Sequence, residues 1–137
     1  MTARHTDRGA ASIFVLGMAV VLLVCAGLVV DGGLAINARM RIADDAEQAA
    51  RVGADSIDVE ELRNGGDLVI NRVEAESRAA SYLQARGYAP GQYSVLPEGD
   101  RVVVTINDTS DTALLKLVGI STFDINSRAT STPETGP

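Results

Sequence analysis

The sequence is poor in the residue types on which many enzymes and disulfide-stabilised folds depend. Among its 137 residues there is one cysteine, Cys25, one histidine, His5, and no tryptophan. A single cysteine excludes an intramolecular disulfide. Because His5 and Cys25 fall in or before an apolar N-terminal stretch, no Ser-His or Cys-His nucleophile can form in the rest of the chain. We therefore expect a protein that is not an enzyme, has no cofactor or small-molecule substrate, and folds by packing alone.

Clustered positive charge is also lacking beyond the N-terminus. Residues 31–137 carry ten basic and seventeen acidic side chains, and this balance argues against nucleic acid as a partner. The acidic groups around Asp44, Asp45 and Glu47 lack the alternating oxygen spacing of a calcium loop. We interpret them as part of a solvated helix face and expect no metal site.

What the chain does have is an uncharged apolar run from Gly9 to Val30. As an α-helix it would be about 33 Å long, enough to cross the hydrocarbon core of a bilayer. A cleaved secretory signal is the alternative, but its apolar region normally has about 7–15 residues. The run predicts a single-pass protein of the cell membrane, with the lipid bilayer as a partner and Asp31 at the membrane exit. Basic residues lie on both sides of the run and nearly balance, so their count does not fix the orientation. A leader of eight residues followed by a larger acidic domain predicts a cytoplasmic N-terminus and an extracytoplasmic C-terminal domain.

The helix is expected to continue beyond the bilayer. Apolar residues recur there with the alternating four-and-three spacing of one helix face. Most are alanines, which permit close approach of another helix or of the protein's own sheet but bury little area each. We predict a helix interface made of Ile36, Met40, Ala43, Ala50, Ala54 and Ile57.

The remaining sequence predicts a small α+β domain. Asn71 and Glu74 resemble a capping box for a second helix that ends at Gly87. The residues expected on its buried apolar side are Val73, Ala79, Ala80 and Leu83. Alternating apolar residues on both sides of Glu98-Gly99-Asp100 indicate a hairpin, and Phe123 and Ile125 a last strand. The expected organisation is a leader (1–8), a transmembrane helix (9–30), its extension (31–64), an extracytoplasmic domain (65–129) and a loose tail (130–137).

Several of these features together resemble a known family. A basic leader ending in Arg8-Gly9, an apolar span, Val30-Asp31 and then Arg39-Met40-Arg41-Ile42-Ala43-Asp44-Asp45-Ala46 are similar to the TadE/TadG-like proteins of Flp (tight adherence) pilus assembly, of actinobacterial type. The resemblance covers residues 8–54. It implies a pilin-like or pilus-assembly subunit of the bacterial envelope that contacts other pilus-assembly subunits.

The resemblance also implies a processing site. Prepilin peptidases cleave after a glycine that follows a short basic leader, which would separate Gly9 from Ala10. Pilins usually carry glutamate at the fifth mature position, where this chain has Phe14. Cleavage by a prepilin peptidase and a retained anchor therefore both stay open. The alternative function is a single-pass envelope protein whose outer domain binds or scaffolds something unrelated to pili.

Overall fold

A computed structural model describes residues 6–56 and 70–133, with side chains from residue 9 onward. Helix α1 (Thr6–Ala54) is followed by helix α2 (Arg72–Ala85) and by strands β1 (Tyr93–Glu98), β2 (Arg101–Asp111) and β3 (Thr122–Ser131). A short 3-10 helix, Leu115–Val118, lies between β2 and β3. The three strands form one sheet in the order β1-β2-β3. The fold is the expected α+β arrangement: a long apolar N-terminal helix, a second helix and a small antiparallel sheet.

Two compact units can be distinguished. The first consists of the chain up to Ile36 together with Ser110–Phe123. It contains the apolar part of α1 and the 3-10 helix. The second consists of Asn37–Thr109 and Asp124–Pro137, and it contains the hydrophobic core.

The core of the second unit lies between two helices and one face of the sheet. The buried residues of α1 are Ile42 and a series of alanines, and those of α2 are Ala75, Ala79 and Leu83. The sheet contributes Val102, Val104 and Ile106 from β2, with Val95 from β1 and Ile125 from β3. Alternation along each strand brings these residues to one face, while most of the opposite face is exposed.

The β1–β2 hairpin lies where the sequence predicted one, with a turn one residue shorter than the predicted Glu98-Gly99-Asp100. Glu98 pairs with Arg101 across the two-residue turn Gly99-Asp100, and Tyr93 pairs with Ile106 at the far end. Gly99 has φ 62°, a conformation that a residue with a Cβ adopts at a cost and that tight hairpin turns require.

The second helix begins at the predicted capping residue, but the residues it buries are not all those that were predicted. The Asn71 side chain accepts a hydrogen bond from the Glu74 N–H at 3.2 Å, as expected for a capping residue. Val73, predicted to be buried, is 80% exposed. Ala75, Ala79 and Leu83 follow a strict four-residue spacing, so Val73 lies off that face.

The ends of two elements also differ from the expected boundaries. Helix α1 ends at Ala54, short of residue 64, and residues 57–69 lie outside the described part of the chain. The Ser56 N–H bonds to the Gly53 carbonyl, a tightened last turn that closes the helix. At the other end β3 continues to Ser131, into the segment expected to be loose.

Candidate functional site

Most side chains in the apolar N-terminal part of α1 are uncovered, although Val24 is half-buried and Gly27 is buried. Large apolar residues from Ile13 to Val30 are exposed at between 47% and 76%. This helix is long and apolar enough to cross a membrane. A soluble core helix would bury one face in its own protein, so the exposure agrees with a single-pass membrane protein.

Asp31, the predicted membrane exit, is buried and holds a loop of the same unit. Its side-chain oxygens accept hydrogen bonds from the backbone N–H groups of Ala113, Leu114 and Leu115, at 2.6 to 3.1 Å. These are the donors that a 3-10 helix starting at Leu115 cannot satisfy itself. The Asp31 carboxylate, which belongs to α1, therefore caps the 3-10 helix. The two are more than eighty residues apart in sequence, so the periodicity of the sequence could not reveal this contact.

A second buried carboxylate organises the other unit. Asp45 of α1 accepts hydrogen bonds from Arg86 Nε at 2.8 Å and from the Tyr88 hydroxyl at 2.8 Å, one on each oxygen. The Arg86 Nη2 atom also lies 2.7 Å from Oδ1. Because the side chain of Asp45 is 5% exposed, an unpaired charge there would be costly, and the two donors compensate for its burial.

The environment of this network raises the pKa of both donors. Burial, followed by the hydrogen bond to Asp45, raises the pKa of Tyr88 to about 12. The hydrogen bond to Asp45 likewise raises the pKa of the Arg86 guanidinium. Both groups therefore remain protonated through the physiological range and act as hydrogen-bond donors, not as acid–base catalysts.

The solvated helix face expected around Asp45 is thus only partly correct. Asp44 and Glu47 are exposed, but Asp45 is buried and paired. Asp45 directly precedes Ala46, which is also buried, and this position was the signal in the sequence that pointed to burial of Asp45 as well. The identity of its partners depends on tertiary packing.

An open pocket of about 340 Å³ surrounds the Asp45 network. Its polar lining includes Gln92 and Asp108. The side chains are committed to one another: Gln92 Nε2 donates to Asp108 Oδ1, and Arg41 lies 4.0 Å from Asp108 Oδ2. These contacts connect Arg41, Gln92 and Asp108 along the pocket that also contains Asp45.

The residues of the predicted helix interface fall into different environments. Ala50 and Ala54 lie in the core of the second unit, while Ile36 and Met40 are 63% and 61% exposed. Ala43 is half-buried, and Ile57 lies outside the described residues. The buried face of α1 is displaced from the predicted one and consists of Ile42, Asp45, Ala46, Ala49, Ala50, Gly53 and Ala54. Contact of the predicted set with a partner stays a prediction.

The residues of the possible processing site lie near the start of α1. Gly9 and Ala10 are helical and exposed. Phe14, at the position where pilins usually carry glutamate, is 72% exposed. Cleavage between Gly9 and Ala10 stays a prediction.

Comparison with known proteins agrees with the resemblance seen in the sequence. The model of the family described as "Putative Flp pilus-assembly TadE/G-like" matches residues 9–56. The match covers the apolar run, Asp31 and the alanine-rich part of α1 up to its last turn. No curated protein and no solved structure matches the chain. The resemblance is confirmed over these residues, and the matched family is described as one of pilus assembly.

Proposed function

We propose, from the similarity of residues 9–56 to Flp pilus-assembly proteins, that this protein is a membrane-anchored subunit of pilus assembly that acts by contact and without catalytic turnover. The apolar part of α1 anchors it in the cell membrane. The leader is cytoplasmic, and the α+β domain is extracytoplasmic. The observation that carries the proposal is one uncovered apolar helix joined directly to the matched alanine-rich segment.

The surface of α1 beyond the apolar run supports an assembly role. Met40 is 61% exposed although it follows the same helix spacing as the apolar residues around it. Ile36, one turn earlier, is 63% exposed. Large exposed apolar side chains on an extramembrane helix are candidates for burial against another subunit. We propose that they contact a further pilus-assembly subunit.

Met40→Glu tests this contact without disturbing the core. The substituted side chain is exposed, so folding and membrane insertion are expected to be retained. Burial of the new charge against a partner is unfavourable, so crosslinking to other pilus subunits should fall several-fold. Val73→Glu is the matched control, because Val73 is 80% exposed on α2. Equal crosslinking of both variants would contradict the interface.

The function itself is tested by deletion and complementation. Cells without the protein should assemble few or no pili, counted by electron microscopy. The wild type and Val73→Glu should restore them, and Met40→Glu should not. Normal piliation in the deletion strain would overturn the pilus-assembly proposal, whatever the result for Met40.

A further inference from the structure

We infer that the loop from Ala113 to Ile120 is a second membrane-inserted element, which enters the lipid interface beside the last turn of the apolar helix. The inference rests on the proposed membrane span, which supplies the bilayer. The loop and the span belong to the same compact unit. The loop is called the interfacial loop below.

The position of the interfacial loop along α1 sets its depth. A methyl group added at Gly27 would lie 3.2 Å from Cβ of Leu114 and 3.3 Å from Cδ2 of Leu115. Gly27 precedes Asp31 by four residues, about 6 Å along the helix axis, and lies inside the uncharged run 9–30. The backbone at the start of the loop therefore lies at the level of Asp31, and the Leu114 and Leu115 side chains reach from there to the level of Gly27, where the absent side chain leaves room for them.

The side chains of the interfacial loop suit lipid better than water. Leu117 is 68% exposed, and Val118 and Ile120 are each 46% exposed. Three large apolar residues within four positions form an uncovered apolar patch, which soluble surfaces seldom display at the tip of a loop. Because the patch lies beside a membrane-spanning helix, we expect it to be covered by lipid at the boundary between the headgroups and the acyl chains. Lys116, the only lysine in the chain, is exposed and can extend its ammonium group to lipid phosphates.

Six backbone N–H groups of the interfacial loop have partners, which lowers the cost of entering an apolar medium, where unpaired N–H groups are unfavourable. Three of its N–H groups bond to Asp31, as described above. Those of Leu117, Gly119 and Ile120 bond to carbonyls within the loop at 3.1 to 3.2 Å. The loop is closed at its base, where the Thr112 hydroxyl donates to the Ile120 carbonyl at 2.6 Å. Gly119 has φ 92° and allows the chain to turn back.

Single-tryptophan variants test the insertion, since the native chain has no tryptophan. The full chain would be reconstituted in phosphatidylcholine vesicles containing lipids brominated either near the headgroup or deep in the acyl chains. In Leu117→Trp we expect blue-shifted emission and strong loss of fluorescence with the shallow bromines. Val73→Trp, on the exposed part of α2, should emit like a hydrated tryptophan and lose little fluorescence with either lipid.

A third reporter separates failure of this inference from failure of the membrane span. Val20→Trp changes a residue within the apolar run, and its fluorescence should be quenched most by the deep bromines. If the Val20→Trp variant is quenched but the Leu117→Trp variant is not, the interfacial loop does not enter lipid. Emission from Leu117→Trp that is blue-shifted but unquenched would show that protein, and not lipid, covers residue 117. If the Val20→Trp variant is also unquenched, the span itself is refuted.

The contact between Gly27 and the interfacial loop is tested by adding Gly27→Leu to the Leu117→Trp variant and to the Val20→Trp variant. The larger side chain keeps the span apolar but occupies the space now filled by Leu114 and Leu115. Quenching of the Leu117→Trp reporter should decrease, while quenching of the Val20→Trp reporter is retained. Unchanged quenching of the Leu117→Trp reporter would show that its depth does not depend on packing at Gly27, against the proposed arrangement.

Discussion

At the scale of single residues, the two buried aspartates of α1 hold distant segments in place by hydrogen bonds, unlike the exposed acidic residues around them. Asp31 caps the 3-10 helix and Asp45 joins α1 to the segment that follows α2. Each carboxylate accepts several hydrogen bonds from groups far away in sequence. Such bonds specify which segments meet.

Tyr88 provides a pH-dependent test of the Asp45 network. Its pKa is raised from 10.0 to about 12, so its contribution to folding is complete below the unfolded pKa and is lost as pH rises through the folded one. The free energy of unfolding of the wild type should therefore decrease relative to Tyr88→Phe as pH increases from 10 to about 12. Denaturant unfolding in detergent, followed by circular dichroism, measures the difference. A difference that stays constant across this range would show that Tyr88 ionises normally.

At the scale of secondary structure, α1 is held in the second unit by small residues instead of large ones. Its buried positions there are mainly alanines and Gly53. A Cβ at Gly53 would lie 3.1 Å from Cγ1 of Val102 and 3.2 Å from the Ala75 carbonyl oxygen. The backbone of α1 therefore approaches both β2 and α2 more closely than a larger residue would permit.

Gly53→Val is expected to destabilise the protein by about 1–3 kcal/mol, because overpacking forces its neighbours to move. Gly33→Ala, in the same helix with open space around the added Cβ, is the control. It should preserve stability or raise it by about 0.5–1 kcal/mol, since alanine favours helix over glycine. Thermal unfolding in detergent compares the two. A Gly53→Val protein as stable as the wild type would show that the close approach is not required.

At the scale of the whole molecule, the chain combines a helix that is able to span a membrane with a small domain that has its own hydrophobic core. The apolar part of the helix exposes most of its side chains, and the domain buries its apolar residues between two helices and a sheet. Ala50 is fully buried, so a larger or charged residue there would impair folding of the domain and could not report on contact with a partner. Exposed positions such as Met40 are the informative ones for assembly.

The single native cysteine makes the topology measurable. Cys25 lies inside the apolar run, so a membrane-impermeant maleimide should not label the wild-type protein in spheroplasts. In a Cys25→Ser background, Glu76→Cys on α2 should be labelled from outside, and Thr2→Cys only after the membrane is permeabilised. The reverse pattern would invert the proposed orientation, and labelling of native Cys25 would contradict its burial in lipid.

The family match and the α+β class were both predictable from sequence, because they depend on local patterns. An uncharged run long enough to cross a bilayer, a capping box and a hairpin with glycine at its turn each act over a few residues. The capping interaction of Asn71 and the β1–β2 hairpin were confirmed in this way, whereas the pairing register came from the structure. The helical repeat of α1 was also recognisable, although not the side of the helix that packs.

Only the tertiary structure decided which face of α1 is buried, why Asp45 is not solvated and what Asp31 holds. In an alanine-rich helix several neighbouring faces are nearly equal in apolar area, so the choice between them depends on the shape of α2 and of the sheet. The partners of both aspartates come from distant segments that meet only after folding. Periodicity along the chain determines that a helix forms, whereas close packing and the need to compensate buried charge determine what it contacts.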